Sequence, residues 1–292
     1  MTRWKFCIFA TTVVTTLLTS TKTMMRRTIY LLSCTALLLS LLTSCNKVNN
    51  TSSVEGKGWK EENLKGQVKS YTEHRYSATE KFGEAEKENL ESGTQVLFNE
   101  VGDQIEDIWY KSDGSVDYKA KSDYDDHGNL TTAWRYDSDG KLELKIIYKY
   151  DGTGSLAESY WYKPEGELEE KRKFRYEENE RIKEEYWYNS EGELVYKWIR
   201  RYDENGNLTE ESSYNSEGEL ENKWIKRYDE KGSLIEECRY NSEGKLDSKS
   251  KFEYQYDERG NWIQCLSFTT YHTSIDSFDA IEIAEREYEY YE

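Results

Sequence analysis

Carboxylates are the commonest reactive groups in this chain, with 57 Asp and Glu against 40 Lys and Arg and only three His. Paired carboxylates do acid–base work where their surroundings push their pKa values apart. In a sequence this acidic neighbouring pairs arise everywhere, so spacing singles out none of them. His74, His127 and His272 stand in unrelated contexts without metal-ligand spacing. DYDDHGN from Asp123 and DSDG from Asp137 carry acids at the intervals of a calcium loop, but no glutamate follows at the twelfth position, and both read as turns. There is no phosphate-cradling glycine loop, nucleophile elbow or Cys/His dyad. The residues therefore imply a protein that is not an enzyme and uses no metal or cofactor. The remaining candidates are aromatic: Trp109, Trp161 and Trp187, each directly before a tyrosine, and Trp198 and Trp224, each before an isoleucine. Such ladders either stack on sugar rings and receive partner proteins or pack across strands.

A second chemistry-bearing residue is Cys45. Arg26 and Arg27 precede an apolar run from Ile29 to Leu42, followed by Thr43, Ser44 and Cys45. A basic segment, about 7–15 apolar residues and small residues at a cleavage point are the layout of an export signal. The run is too short for a membrane span, which needs about 20 residues. Residues 25–44 are thus expected to be a lipoprotein signal peptide, and 1–24 an upstream extension outside it. Cys45 would be lipidated, attaching the protein to a membrane. The five basic residues before the cut would leave with the leader, taking the formal charge from −17 to −22. That charge excludes nucleic acid as a partner.

Residues 45–58 are small and polar and read as a flexible tether. Beyond it the chain is periodic: YDDHGNL from Tyr124, YDSDGKL from Tyr136, YNSEGEL from Tyr188, YDENGNL from Tyr202 and their relatives recur at alternating steps of 12 and 14 residues, a full period of 26 with two turns. Asp203 or Asn215 at the first turn position and Gly206 or Gly218 at the fourth fit a type I turn closed by a left-handed glycine, the three-residue hairpin loop with a bulge. Glu180 replaces that glycine in the Tyr176 unit, which predicts a different turn there. Such a loop pairs Tyr202 with Leu208, and because every step is even, all tyrosines and leucines are expected on one face, with Trp109, Trp161 and Trp187 on the other.

The expected fold class is all-β: an elongated, twisted antiparallel meander of repeated hairpins. Residues 59–97 would form an N-terminal capping region, with Glu80 to Glu91 a charged loop or short helix. The repeat array would span 98–267, and 268–292 would supply a C-terminal capping strand. Cys238 and Cys265 are expected on opposite faces with a strand between them, too far apart for a disulfide.

The YD-x-x-G-N-L units at Tyr124 and Tyr202 and, with changes, at Tyr136, Tyr228 and Tyr256 resemble the YD repeats of Rhs-type proteins. LKGQVKS from Leu64 and EREYEYY from Glu285 are similar to a family of short repeat lipoproteins of the bacterial surface. The resemblance covers most of Leu64 to Tyr291, and the repeat spacing here is shorter than in Rhs proteins. It implies an array of antiparallel strands in an envelope protein of the outer membrane or cell surface. The function expected is non-catalytic: an extended sheet face that binds a protein or a glycan. A purely structural envelope lipoprotein is the alternative, and a hydrolase the remote one.

Overall fold

A computed structural model describes residues 57–82, 84–177, 181–271 and 280–292. The expected signal peptide, the expected lipidation site at Cys45 and most of the expected tether lie outside the described residues. Among the described residues a one-turn helix, α1 (Lys57–Glu61), is followed by sixteen strands. These are β1 (Val68–Lys81), β2 (Glu84–Phe98), β3 (Gln104–Lys111), β4 (Val116–Tyr124), β5 (Leu130–Asp137), β6 (Leu142–Tyr150), β7 (Leu156–Tyr162) and β8 (Leu168–Glu177). Then come β9 (Ile182–Asn189), β10 (Leu194–Tyr202), β11 (Leu208–Asn215), β12 (Leu220–Tyr228), β13 (Leu234–Asn241), β14 (Leu246–Tyr256), β15 (Trp262–Tyr271) and β16 (Ala280–Tyr290).

Every strand pairs antiparallel with its sequence neighbours, and β16 pairs with β1 from Val68↔Tyr290 to Ala78↔Ile281. The sheet is therefore a closed barrel, which corrects the expected open, elongated meander. Twist accumulates from strand to strand, and tilted strands bring the first and last edges together, where each satisfies the other's backbone groups. The segment Glu80 to Glu91, expected as a loop or helix, is instead the tip of the β1–β2 ribbon; Lys81–Glu86 and Thr79–Glu88 contacts pair its charged side chains across the strands.

The turns follow the residues that specify them. In the β10–β11 hairpin the Gly206 amide donates to Asp203 O (3.2 Å) and the Asp203 amide to Asn207 O (3.0 Å). The Asp203 carboxylate accepts the amides of Asn205 and Asn207. Asn215 does the same in the next hairpin through its side-chain oxygen. Gly218 sits at φ +85° with open space where a Cβ would be, so Gly218→Ala should cost only the left-handed backbone, about 1 kcal/mol. A thermal melt should show a loss of roughly 2–4 °C. The Tyr176 unit, which lacks the glycine, pairs in unbroken register from Glu170↔Asn189 to Glu177↔Ile182.

The single-face expectation fails for a reason visible in the register. Tyr202 pairs with Leu208 as expected, but the next pair is Arg201↔Glu210, which leaves Thr209 as a second bulge just past the turn. Thr209 Oγ1 caps it by donating to Arg201 O (3.1 Å). Each such bulge inverts the face on which the following strand's side chains fall, and two per period restore it. Tyr124, Tyr150, Tyr202 and Tyr228 consequently face the lumen at one rim, whereas Tyr188, Tyr214 and Tyr240 face outward near the other. The lumenal tyrosines staple successive hairpins: Tyr124 donates to Gln104 O (2.7 Å), Tyr150 to Leu130 O (2.9 Å) and Tyr228 to Leu208 O (2.9 Å).

Residues 57–65 cross the rim that carries these tyrosines. Lys57 bonds to Asp103 and Asn129, Asn63 to Lys231 O, and Lys65 to Asn261, so four separate turns hold the segment. Trp59 anchors it among Val68, Tyr71, Val96 and Phe98 and donates its ring N–H to Val68 O (2.7 Å). Gly102 is required beside it: a Cβ there would come within 2.4 Å of the Trp59 ring.

Candidate functional site

The lumen is lined by aromatic and charged side chains in alternation. Strand β8 presents Arg172, β9 presents Lys183, Glu185 and Trp187, and β10 presents Trp198, Arg200 and Tyr202. The Arg172 guanidinium lies between the rings of Trp161 (3.8 Å) and Trp187 (3.7 Å), the geometry of a two-sided cation–π contact. Glu185, 1% exposed, accepts from Arg172 Nη1 (3.2 Å), from Arg200 Nη1 and from the Trp187 ring N–H (2.7 Å). Arg172 also donates to Glu170, and Arg200 to Glu211 (2.6 Å).

Burial pushes the Glu185 carboxyl up, but Arg200, Arg172 and Lys183 outweigh it and hold the group at about 2. Burial acts on Lys183 in the opposite sense, lowering its ammonium to about 8. A second cluster lies half a circuit away on β16 and β1. There Arg286 packs over Tyr71 (4.0 Å) and Trp262 (4.1 Å) and donates to Glu73 (2.7 Å) and to Glu62 of the rim-crossing segment (3.4 Å).

Four of the five candidate tryptophans come together. Trp161, Arg172, Trp187, Trp198 and Trp224 form a row around the lumen, with Trp187 and Trp198 6.2 Å apart and Trp198 stacked on Trp224 at 5.7 Å and 21°. The expected assignment of Trp161 and Trp187 to the opposite face from Trp198 and Trp224 is therefore corrected: the bulges place them on one. Trp109 stands apart, stacked on Tyr118 at 5.5 Å. Composition gave no hint of Lys183, Glu185 and Glu211 as lumen residues; the missing signal was the bulge that decides their face.

The two halves of the lumen differ. Fully buried apolar side chains come from β1–β2, β5–β10 and β16, and among the described residues none comes from β11 to β15. On that second wall Trp224, Lys226 and Glu237 are half-buried and Arg239 is exposed, with Lys226 paired to Glu237 (3.3 Å) and Arg239 over the Trp224 ring (5.6 Å). Cys238 and Cys265 are free thiols, Cys238 on the outer face and Cys265 on the lumenal one.

The outer wall from β7 to β14 repeats one ion pair every 26 residues: Lys171–Glu158 (2.7 Å), Lys197–Glu184 (2.7 Å), Lys223–Glu210 (2.9 Å) and Lys249–Glu236 (2.7 Å). A lipid-spanning barrel needs an outward apolar band about 25 Å tall. This wall carries a charged girdle in its place.

No protein-family profile and no curated protein matches the chain. Among solved structures, a porin-like protein from Bacteroides uniformis ATCC 8492 superposes with a TM-score of 0.52 at 10% identity, over 76% of this chain and 98% of that one. A porin-like protein from Bacteroides vulgatus ATCC 8482 covers the same shares at 9% identity, with a TM-score of 0.37. The TcdB2–TccC3 complex without its hypervariable C-terminal region reaches a TM-score of only 0.18 at 12% identity, over 74% of this chain and 18% of that one. The resemblance to Rhs-type YD repeats and to repeat lipoproteins is corrected by the fold itself: the hairpins close here into a sixteen-stranded barrel, similar to that of the porin-like protein of Bacteroides uniformis.

Proposed function

We propose that the protein is a non-catalytic barrel of the bacterial cell envelope that binds a glycan within its lumen, and that a lipid on Cys45 attaches it to the membrane. The observation that carries the reading is the row of lumenal tryptophans ending in the stacked Trp198–Trp224 pair, whose outer member is half-buried on the wall that lacks a packed core. Sugar rings stack on such faces, and neighbouring Arg239, Lys226 and Glu237 offer hydrogen bonds to hydroxyl groups. The charged girdle supports a barrel standing in water beside the membrane, and the porin-like fold is consistent with an envelope location. A protein partner is less favoured, since the aromatic row faces inward.

Trp224→Ala should weaken binding of a glycan identified by array screening about tenfold, a loss of about 1.4 kcal/mol. Quenching of tryptophan fluorescence during titration reads it. Equal affinities for the parent and the variant would remove the platform from the site.

A further inference from the structure

The barrel has two mouths, and among the described residues only one is crossed by chain. Residues 57–65 lie across the mouth formed by the turns after β2, β4, β12 and β14. Lys57 Nζ reaches Asn129 in the β4–β5 turn (3.2 Å), and Asn63 Nδ2 reaches Lys231 O in the β12–β13 turn (2.8 Å). Eight of the sixteen strands separate these two turns, so the segment spans the mouth from side to side. On the β16–β1 side of it Glu62 accepts from Arg286 and Tyr71; on the β5–β12 side Leu156, Lys183 and Arg200 are buried. The turn glycines lie against it. A Cβ would come within 2.4 Å of Trp59 at Gly102, 3.3 Å of Asn63 at Gly232 and 3.8 Å of Lys65 at Gly260.

The opposite mouth is formed by residues 112–115, 138–141, 163–167, 190–193, 216–219 and 242–245, every one of them exposed. Gly114, Gly140, Gly166, Gly192, Gly218 and Gly244 all have open space where a Cβ would be. The tryptophan row belongs to this end. Trp161 and Trp187 stand two residues before Lys163 and Asn189, whose carbonyls accept the Gly166 and Gly192 amides, and Trp224 stands five residues past Glu219.

We propose that the lumen is a blind cup: saccharide enters through the mouth formed by the turns after β3, β5, β7, β9, β11 and β13, and residues 57–65 are a fixed bar across the other. The proposal rests on the lumenal glycan reading and adds to it the route and the form of the ligand. A barred mouth lets no polymer thread through, so the cup takes a short oligosaccharide or the end of a chain. Trp59, packed among Val68, Tyr71, Val96 and Phe98, holds the bar in place.

The test measures how far a saccharide-sized reagent reaches into the lumen, whatever its affinity. Ser248, paired with Arg239, faces the lumen near the free mouth, and Cys265, paired with Tyr254, faces it near the barred one. Ser248 and Tyr254 are six residues apart on β14, about 20 Å. The full chain carrying Cys238→Ser, with and without Ser248→Cys, is treated with N-ethylmaleimide and with a cellotetraose-linked maleimide, and mass spectrometry of the peptides gives each labelling rate. Dividing the second rate by the first removes the intrinsic reactivity of each thiol. The large reagent reaches Cys265 only when the bar opens, so the ratio should be about tenfold higher at the Ser248→Cys thiol. Trp59→Ala should raise the ratio at Cys265 and leave it unchanged at Ser248→Cys. Lys57→Ala with Asn63→Ala, which keeps the Trp59 anchor and so the fold, should do the same to a smaller extent. An equal or higher ratio at Cys265 in the parent overturns the route, and a ratio there that neither variant raises overturns the bar. If the gradient holds while Trp224→Ala leaves glycan affinity unchanged, the cup stands and the aromatic platform falls.

Discussion

A chain ending at Tyr271 should give no cooperative thermal transition and should elute as aggregate. β16 is the element that pairs with both β1 and β15, so its removal opens two edges at once. Exposed edges are templates for pairing with other chains. The loss also takes Arg286 away from Glu73, a carboxylate 4% exposed that burial pushes up and Arg286 and Arg75 hold down. In an open repeat array, by contrast, removing one terminal strand lowers stability by about one unit and its neighbour interface and leaves the rest folded. Size-exclusion chromatography with a circular-dichroism melt separates the cases: a monomeric, cooperatively melting truncation would mean that closure is not what holds the strands.

The second large effect is expected at Glu185. Glu185→Ala leaves the guanidinium groups of Arg172 and Arg200 buried without the acceptor they share, and removing one member of such a cluster costs about 3–5 kcal/mol. The melting temperature should fall by on the order of 10 °C. Replacing Arg172, Glu185 and Arg200 together with Met, Leu and Met should recover most of that loss, because the desolvation of the charges goes with them. The same carboxylate sets an acid response. Its folded-state pKa is depressed, so the stability contributed by the ionised form is complete above the ordinary value of 4.5 and is lost as pH falls through about 2. The amount is about 3 kcal/mol. Melts between pH 6 and pH 2 should therefore steepen for the parent relative to Glu185→Gln, and parallel curves would show that Glu185 is not ionised in the folded protein.

Local structure was legible where one residue type has one conformational use. The glycine of the repeated turns, the Asp or Asn before it, and the Tyr202–Leu208 pair could all be read from spacing. Closure could not be read, because β1 and β16 are joined by residues some 200 positions apart whose sequences share no period. The faces were misread because the second bulge has no consensus residue: it falls on Thr209, Glu221 and Ile235 in successive hairpins, and nothing in those types announces an unpaired position. The low apolar content argued against a thick core. The barrel meets that limit by filling part of its interior with stacked guanidinium groups and ion pairs, as Arg172 and Arg286 show. The rim-crossing segment was hidden because Lys57 to Lys65, mostly polar, looks like a continuation of the tether.

The extra bulge beside each turn also sets how such a molecule can change its size over generations. Duplicating one strand and one turn would reverse both the direction of the chain and the face of every side chain downstream, putting Lys and Glu into the lumen and tryptophan into water. Duplicating 26 residues adds two strands and two bulges, and all later residues return to their former side. The barrel's circumference is therefore quantised in steps of one full repeat, and kinship between barrels of different girth should be sought as whole 26-residue insertions rather than as gradual drift in strand number.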